Sequence, residues 1–185
     1  MKTQDLIARN LEAIESREPG DIIFFHPENF NPLAAIILFV TGQYYHHGGI
    51  VIDRDNVIES DPLKGVHISP IEGYLDKYTL DLFRLKKDHD GQLIVDAAKK
   101  YLGWNYDYGN LVWAGLGFAW LRLTGISVFR RIKNPDDESG AVHSEEFIDS
   151  VFRDAGFNLR PEIPSTNITA QDMADSDLLF RVYAI

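Results

Sequence analysis

No cysteine occurs among the 185 residues of this chain, and its absence excludes three kinds of site. The fold is not a disulfide scaffold, and no thiolate is available to bind a metal ion. The six histidines show neither His-x-His nor His-x-x-x-His spacing, so we expect no metal site and no cofactor. The chain as written also has no thiol nucleophile.

Positive charge is scarce as well, because 18 Lys and Arg stand against 28 Asp and Glu and give a net charge of -10. Such a charge repels phosphate backbones, so we predict no nucleic-acid partner. Long apolar runs are also missing. Residues 32–40 and 111–120 each supply about half of the roughly 20 apolar residues that a membrane-spanning helix needs. We therefore predict no transmembrane segment.

The first 18 residues mix acidic and basic side chains and lack the apolar run of a secretory signal peptide. We therefore expect a protein that stays in the cytoplasm, or one that is delivered to its target or carried in a virion. The length and the hydrophobic fraction of 45% suit one packed core. Residues 1–185 are accordingly predicted to form a single domain.

The spacing of apolar residues predicts short strands combined with helices. A small antiparallel sheet is expected over about residues 20–85, where the segments GIVID and VIES flank a polar turn and form a hairpin. The sequence thus indicates an α+β fold with an exposed polar loop at 134–140. The predicted helices cover residues 4–16, 32–41, 91–102 and 144–155, and the predicted strands begin near residues 21, 49, 57, 65, 79 and 178.

Two histidines, His46 and His47, directly precede a pair of glycines and an apolar strand. The strand would hold the ring of His47 while the glycines leave space beside it, which suits a catalytic base. Glu59 lies one hairpin away, and its carboxylate could accept the second ring N–H of the histidine. The alternatives are a partly buried structural histidine and an ordinary solvent-facing glutamate.

Ser144 begins the clearest helix in the second half of the chain, and we predict that it is the N-cap. The free N–H groups at a helix start would stabilise both a nucleophile and an oxyanion. The structural alternative is a serine that serves as a cap and nothing more. An aromatic segment, residues 104–120, is most simply core, or else a groove for an acyl chain or a surface for a partner.

Several short motifs in the same order resemble those of the permuted papain-like cysteine hydrolases, the YiiX-type branch of the NlpC/P60 superfamily. The motifs are GDIIFF, HHGGIVI, VIES, KGVHISPI, YLGWNYDYG, VHSEEFIDSVFRDAG and ITAQDMADSDLLF, over about residues 19–182. The resemblance implies a circularly permuted papain-like fold, with a small antiparallel sheet packed against helices. In that family a His-x-Gly-Ile strand start supplies the base, a Val-Ile-Glu strand the orienting carboxylate, and a Cys-Ser-Glu helix start the nucleophile.

Carried over by residue, the resemblance makes His47 the base, Glu59 the residue that orients it, and Ser144 the nucleophile position. The predicted substrate-binding residues are Tyr106, Asp107, Glu146 and His46. Ser144 departs from the family, which has cysteine there. Three explanations remain, namely a cysteine replaced by serine to silence the enzyme, a natural serine variant, and a noncatalytic relative.

The resemblance implies a cysteine-peptidase-like or amidase-like hydrolase that acts on amide bonds, such as those of cell-wall peptides or peptidoglycan. One alternative is a lipid-directed acyl hydrolase or acyltransferase, whose substrate would be a lipid-linked amide or ester. A second alternative is a noncatalytic binding or structural relative, for example a component of a phage particle.

Overall fold

A six-stranded antiparallel sheet forms the centre of the part of the chain that the computed structural model describes, which is residues 3–27, 44–125, 132 and 140–182. The strand order is β4-β3-β2-β1-β5-β6, so the first strand lies in the middle of the sheet. The mixture of helices and antiparallel strands is the predicted α+β class. The strands are β1 (Ile22–Pro27), β2 (His47–Val51), β3 (Asn56–Asp61), β4 (Gly65–Pro70), β5 (Tyr78–Leu85) and β6 (Leu179–Arg181).

Five α-helices and two short 3₁₀ turns accompany the sheet in the described residues. None of these helices is both long enough and apolar enough to cross a membrane. The helices are α1 (Thr3–Ala13), α2 (Gly91–Lys99), α3 (Tyr108–Thr124), α4 (Ser144–Asp154) and α5 (Ala170–Ala174), and the 3₁₀ turns are Ile71–Tyr74 and Ser165–Asn167.

The sequence prediction is confirmed for the type of most elements and is wrong at several ends. Helices α1 and α2 each stop three residues before the predicted end. The aromatic segment lies largely in α3, where Val112, Leu116 and Trp120 are exposed, so this segment is only partly core. The predicted helix at 32–41 and most of the predicted loop at 134–140 lie outside the described residues.

Side chains alternate between the two faces of the sheet, and each face has its own apolar core. The larger core joins Phe24, Ile50 and Ile58 to α2 and α4. The smaller core joins Phe25, Val51 and Val57 to Ile14, just beyond α1. The two cores therefore place α4 and the end of α1 on opposite faces of one sheet.

Helix α4 lies directly on β2 because Gly48 has no side chain. A Cβ atom built at Gly48 would stand 2.8 Å from Cδ1 of Phe24 and 2.9 Å from Cδ1 of Ile148. A second contact ties the segment before α4 to β3, since the Ser60 hydroxyl donates to the carbonyl oxygen of Val142 at 2.8 Å. These contacts bring the first turn of α4 close to the end of the sheet at which β2 begins.

Substitution of Gly48 by alanine tests this close approach. The added methyl group has no free space, so we expect the G48A protein to lose about 1–3 kcal/mol of unfolding free energy, measured by chemical denaturation. The matched control is Gly73→Ala, where no atom lies within 4 Å of the added methyl group. Equal stability of the two variants would contradict the proposed packing of α4 on β2.

Candidate active site

His47 and Glu59 form a direct pair at the start of β2. Nε2 of His47 lies 2.7 Å from Oε2 of Glu59. The pairing of Ile50 with Ile58 in the two strands puts the His47 and Glu59 side chains on one face, in diagonal positions. The imidazole also stacks on the ring of Phe25, with centroids 5.2 Å apart. The predicted pair is therefore built by strand register and held by an aromatic neighbour.

Glu59 is 2% exposed, and each of its oxygens has partners. Oε1 accepts a hydrogen bond from Ser69 at 2.5 Å and another from the Tyr74 hydroxyl. Nε2 of His67 lies 3.6 Å from the same oxygen. These contacts leave Oε2 for His47, so the carboxylate is fixed in position and keeps the imidazole oriented.

The pKa values of His47 and Glu59 are each shifted in one direction by burial and in the other by their hydrogen bonds and charges. Burial alone would raise the pKa of Glu59, but the hydrogen bond and charge of His47, with the bonds from Ser69 and Tyr74, lower it to about 2. Burial would lower the pKa of His47, but Glu59 outweighs it and raises that pKa above 6.5. The pair therefore favours an imidazolium opposite a carboxylate, compared with an isolated histidine and glutamate.

The cap of α4 is His143, so the prediction of Ser144 as the N-cap was wrong. His143 has extended backbone angles of -81° and 172°, and Ser144 is the first helical residue. The His143 side chain accepts from the backbone N–H of Glu146, whose carboxylate in turn accepts from the His143 N–H. A capping box needs Glu or Gln three residues after the cap. Glu146 stands there for His143, whereas Phe147 stands there for Ser144.

The Ser144 hydroxyl points to Glu145. Its Oγ donates to Oε2 of Glu145 at 2.5 Å and has a hydrogen-bonding contact with Tyr106. Within the described residues it makes no hydrogen bond to His47, which lies on the sheet face opposite α4. The charge of Glu145 nevertheless acts on His47. The two parts of the predicted site are thus linked by the charge of Glu145 and by no hydrogen bond between Ser144 and His47 among the described residues.

The predicted substrate-binding residues lie close to the start of α4, and three of them have structural partners. Asp107 caps α3, where its side chain accepts from the N–H of Asn110 at 2.7 Å. Glu146 belongs to the capping box of α4. Nδ1 of His46 bonds the carbonyl oxygen of Phe25 at 2.9 Å.

The remaining electrostatics come mainly from burial. Burial, assisted by the charge of His47, lowers the pKa of His46 to about 4, so His46 is neutral at pH 7. Tyr106 is partly buried, and burial followed by the charge of Glu145 raises its pKa. The Tyr106 hydroxyl is therefore a hydrogen-bond donor at neutral pH.

Three groups of functional interest were missed from the sequence. Glu145 was missed because an acidic residue in the first turn of a helix is common for helix stability alone. Tyr74 was missed because its contact with Glu59 depends on the turn after β4. For Ser69 a signal exists, because β3 pairs with β4 so that Glu59 faces His67 and Ser69 follows on the same face.

Among the described residues no group of three or more His, Asp or Glu is placed to hold a metal ion. The possible metal ligands in this cluster are His47, His67 and the carboxylate of Glu59. That carboxylate already accepts hydrogen bonds from the hydroxyls of Ser69 and Tyr74. The contacts thus account for this cluster as a hydrogen-bonded network.

Residues 16–113 match the family model described as "Permuted papain-like amidase enzyme, YaeF/YiiX, C92 family", which is more than half of the chain. The chain belongs to this family. It is also similar in fold to a crystal structure described as the metalloprotein YiiX from Escherichia coli O157:H7. That similarity covers 91% of this chain and 97% of the other at 19% identity, with a TM-score of 0.54. No curated protein matches the chain.

The matched span contains His47 and Glu59 and ends before α4. The predicted nucleophile position therefore rests on the resemblance at the helix start alone. The Cys-Ser-Glu pattern aligns with Ser144 to Glu146 in one register. In the other register it aligns with His143 to Glu145, with serine and glutamate matched and His143 in place of cysteine. Neither register restores a thiol.

Substitution of Glu59 by glutamine tests the pair. Glutamine keeps the shape and removes the charge, so we expect the pKa of His47 to fall by about one unit or more, because burial would then act without the opposing carboxylate. Histidine NMR titration measures this shift. The matched control is Glu72→Gln at an exposed position. An unchanged His47 pKa in the E59Q protein would contradict a charged pair.

The same variant should change the pH dependence of stability. Glu59 has a lowered pKa, so its contribution is present above the ordinary value of 4.5 and is lost as the pH falls towards about 2. His47 has a raised pKa, so its contribution is present below 6.5 and is lost as the pH rises through the folded-state value. The difference between natural and E59Q protein should thus be largest at pH 4.5–6.5, on the order of 3 kcal/mol for a shift of this size.

Proposed function

We propose that this protein is an acyl-transfer hydrolase that cleaves amide bonds at the start of α4. The observation that carries the proposal is the His47–Glu59 pair, in which a buried carboxylate with four partners fixes one imidazole at the start of β2. Such an arrangement orients a general acid and base. Membership of a permuted papain-like amidase family supports the same reaction class.

In this proposal the group at position 144 is a thiolate whose proton is held by His47, and it attacks the carbonyl carbon of the amide. His47 gives that proton to the amine as the C–N bond breaks. Water then hydrolyses the acyl-enzyme by the reverse proton path. The free N–H groups of the first turn of α4, with the Tyr106 hydroxyl, supply donors for the oxyanion.

The charge of His47 decides how well a serine serves in this reaction. The raised pKa of His47 favours its protonated form, and an imidazolium stabilises a thiolate but cannot accept the proton of a hydroxyl. The serine form is therefore expected to be weak or inactive near pH 7, and a cysteine form is expected to be the active one. The same observation, with the absence of cysteine, favours a noncatalytic binding relative as the second candidate.

The proposed substrate is a peptide or isopeptide amide of cell-wall type, supported by the amidase family. A lipid-linked amide is the alternative, favoured by the exposed apolar residues Val112, Leu116, Trp120 and Leu123 of α3. These residues are spaced three or four apart and so follow one side of the helix. That the protein is a component of a phage particle, or is delivered to its target in another way, stays a prediction from the sequence.

A pair of cysteine variants tests which residue at the helix start faces His47. We expect the Ser144→Cys thiol to be labelled by a thiol-reactive probe, with a pH midpoint that rises by about one unit when His47→Ala is added, because the imidazolium stabilises the thiolate. The matched variant is His143→Cys, whose midpoint should not respond to His47→Ala. The measurement is the labelling rate at a series of pH values.

Two results would count against this assignment. A midpoint that responds in the His143→Cys protein alone would move the nucleophile position to residue 143. A lack of response in both variants would show that no activated thiol–imidazole pair forms and would support the noncatalytic candidate.

Substrate class is tested with the Ser144→Cys protein and intact-mass spectrometry. We expect peptidoglycan fragments to leave a covalent acyl adduct at position 144 or to release a free amine, while N-acyl lipid amides do not. Products from the lipid amides alone would favour the lipid-directed alternative. The Ser144→Cys/His47→Ala protein is the control and should give neither adduct nor product.

A further inference from the structure

Glu145 is the second residue of α4, and no role has yet been assigned to it. Its side chain is 12% exposed, so the carboxylate lies almost entirely within the protein. One of its oxygens, Oε2, contacts two groups. It accepts the Ser144 hydroxyl at 2.5 Å and lies 3.3 Å from Nδ1 of His143. A nearly buried carboxylate thus bridges the helix cap and the proposed nucleophile position.

We propose that Glu145 is a positioning residue that controls the proton at position 144 by binding the nucleophile group and the cap imidazole through one carboxylate oxygen. The inference rests on the proposed function of position 144. Glu145 holds the Ser144 hydroxyl as a hydrogen-bond donor to its carboxylate. It also opposes any negative charge that forms at position 144, because two like charges at this separation repel strongly.

The His143 ring shows why the carboxylate matters. Nδ1 of His143 faces both the N–H of Glu146 at 3.4 Å and the carboxylate of Glu145. A nitrogen without a proton accepts from Glu146 and caps the helix, whereas a protonated nitrogen donates to Glu145 and gives up the cap. Nε2 faces the carbonyl oxygen of Thr166 at 3.3 Å, which requires a proton on that nitrogen. The charge of Glu145 therefore favours a proton on Nδ1 and competes with the cap bond from Glu146.

Charges from several elements surround this bridge. Burial alone would lower the pKa of His143, but Glu145 and Glu146 outweigh it and raise that pKa. Burial would raise the pKa of Glu145, but His143, Ser144 and His47 lower it, so this group is an anion. The titratable groups that interact with Glu145 are His143 beside it, His46 and His47 where β2 begins, and Tyr106 before α3. Glu146 acts on His143, and Glu59 and Asp61 of β3 act on His47.

The direct test compares Ser144→Cys with Ser144→Cys/Glu145→Gln. Glutamine keeps an oxygen acceptor and removes the charge, so we expect the pH midpoint of thiol labelling to fall by about one unit in the double variant. The control is Ser144→Cys/Glu72→Gln, which removes a charge at an exposed position and should leave the midpoint unchanged. An unchanged midpoint in the Glu145→Gln double variant would overturn the proposal.

A second measurement uses the chain with Ser144 unchanged and needs no catalysis. In the Glu145→Gln protein, histidine NMR titration should show the pKa of His143 falling by about half a unit or more and that of His47 falling less, because Glu145 contacts only the first. Equal or absent shifts would overturn the proposal. The catalytic proposal fails separately, through a Ser144→Cys thiol that does not respond to His47→Ala.

Discussion

The buried carboxylate of Glu59 is the constraint on which the site depends. A charge removed from water is costly unless its oxygens are paired, so this side chain is compatible with the fold only when several donors converge on it. His47 comes from β2, Ser69 from β4 and Tyr74 from the 3₁₀ turn that follows. One side chain thus links two neighbouring strands and the turn beyond them, and fixes the imidazole as a consequence.

The pair of His47 and Glu59 could be predicted from the sequence because it is local. A hairpin with a short polar turn brings two strands into one register, and the period of two then decides which side chains share a face. The pairing of Ile50 with Ile58 places the side chains of His47 and Glu59 together on one face. The family match over residues 16–113 covers this same part of the chain.

The rest of the site depends on contacts between distant parts of the chain, so local sequence patterns could not predict it. Strand β1 lies between β2 and β5, so its neighbours are set by packing across the whole sheet. The approach of α4 depends on Gly48, whose role appears only when Ile148 is seen above it. At the helix start, the high cap propensity of serine favoured Ser144, while the reciprocal bonds of His143 and Glu146 place the cap one residue earlier.

The start of α4 and the start of β2 follow the same electrostatic rule. Each holds a histidine whose proton is stabilised by a carboxylate, Glu145 for His143 and Glu59 for His47. An imidazolium beside a helix N-terminus favours an anionic nucleophile, whereas Glu145 opposes one and binds a neutral hydroxyl as a donor. A neutral hydroxyl at position 144 is therefore compatible with the adjacent carboxylate of Glu145. The proposed thiolate reaction would require the charge of His47 to outweigh that of Glu145.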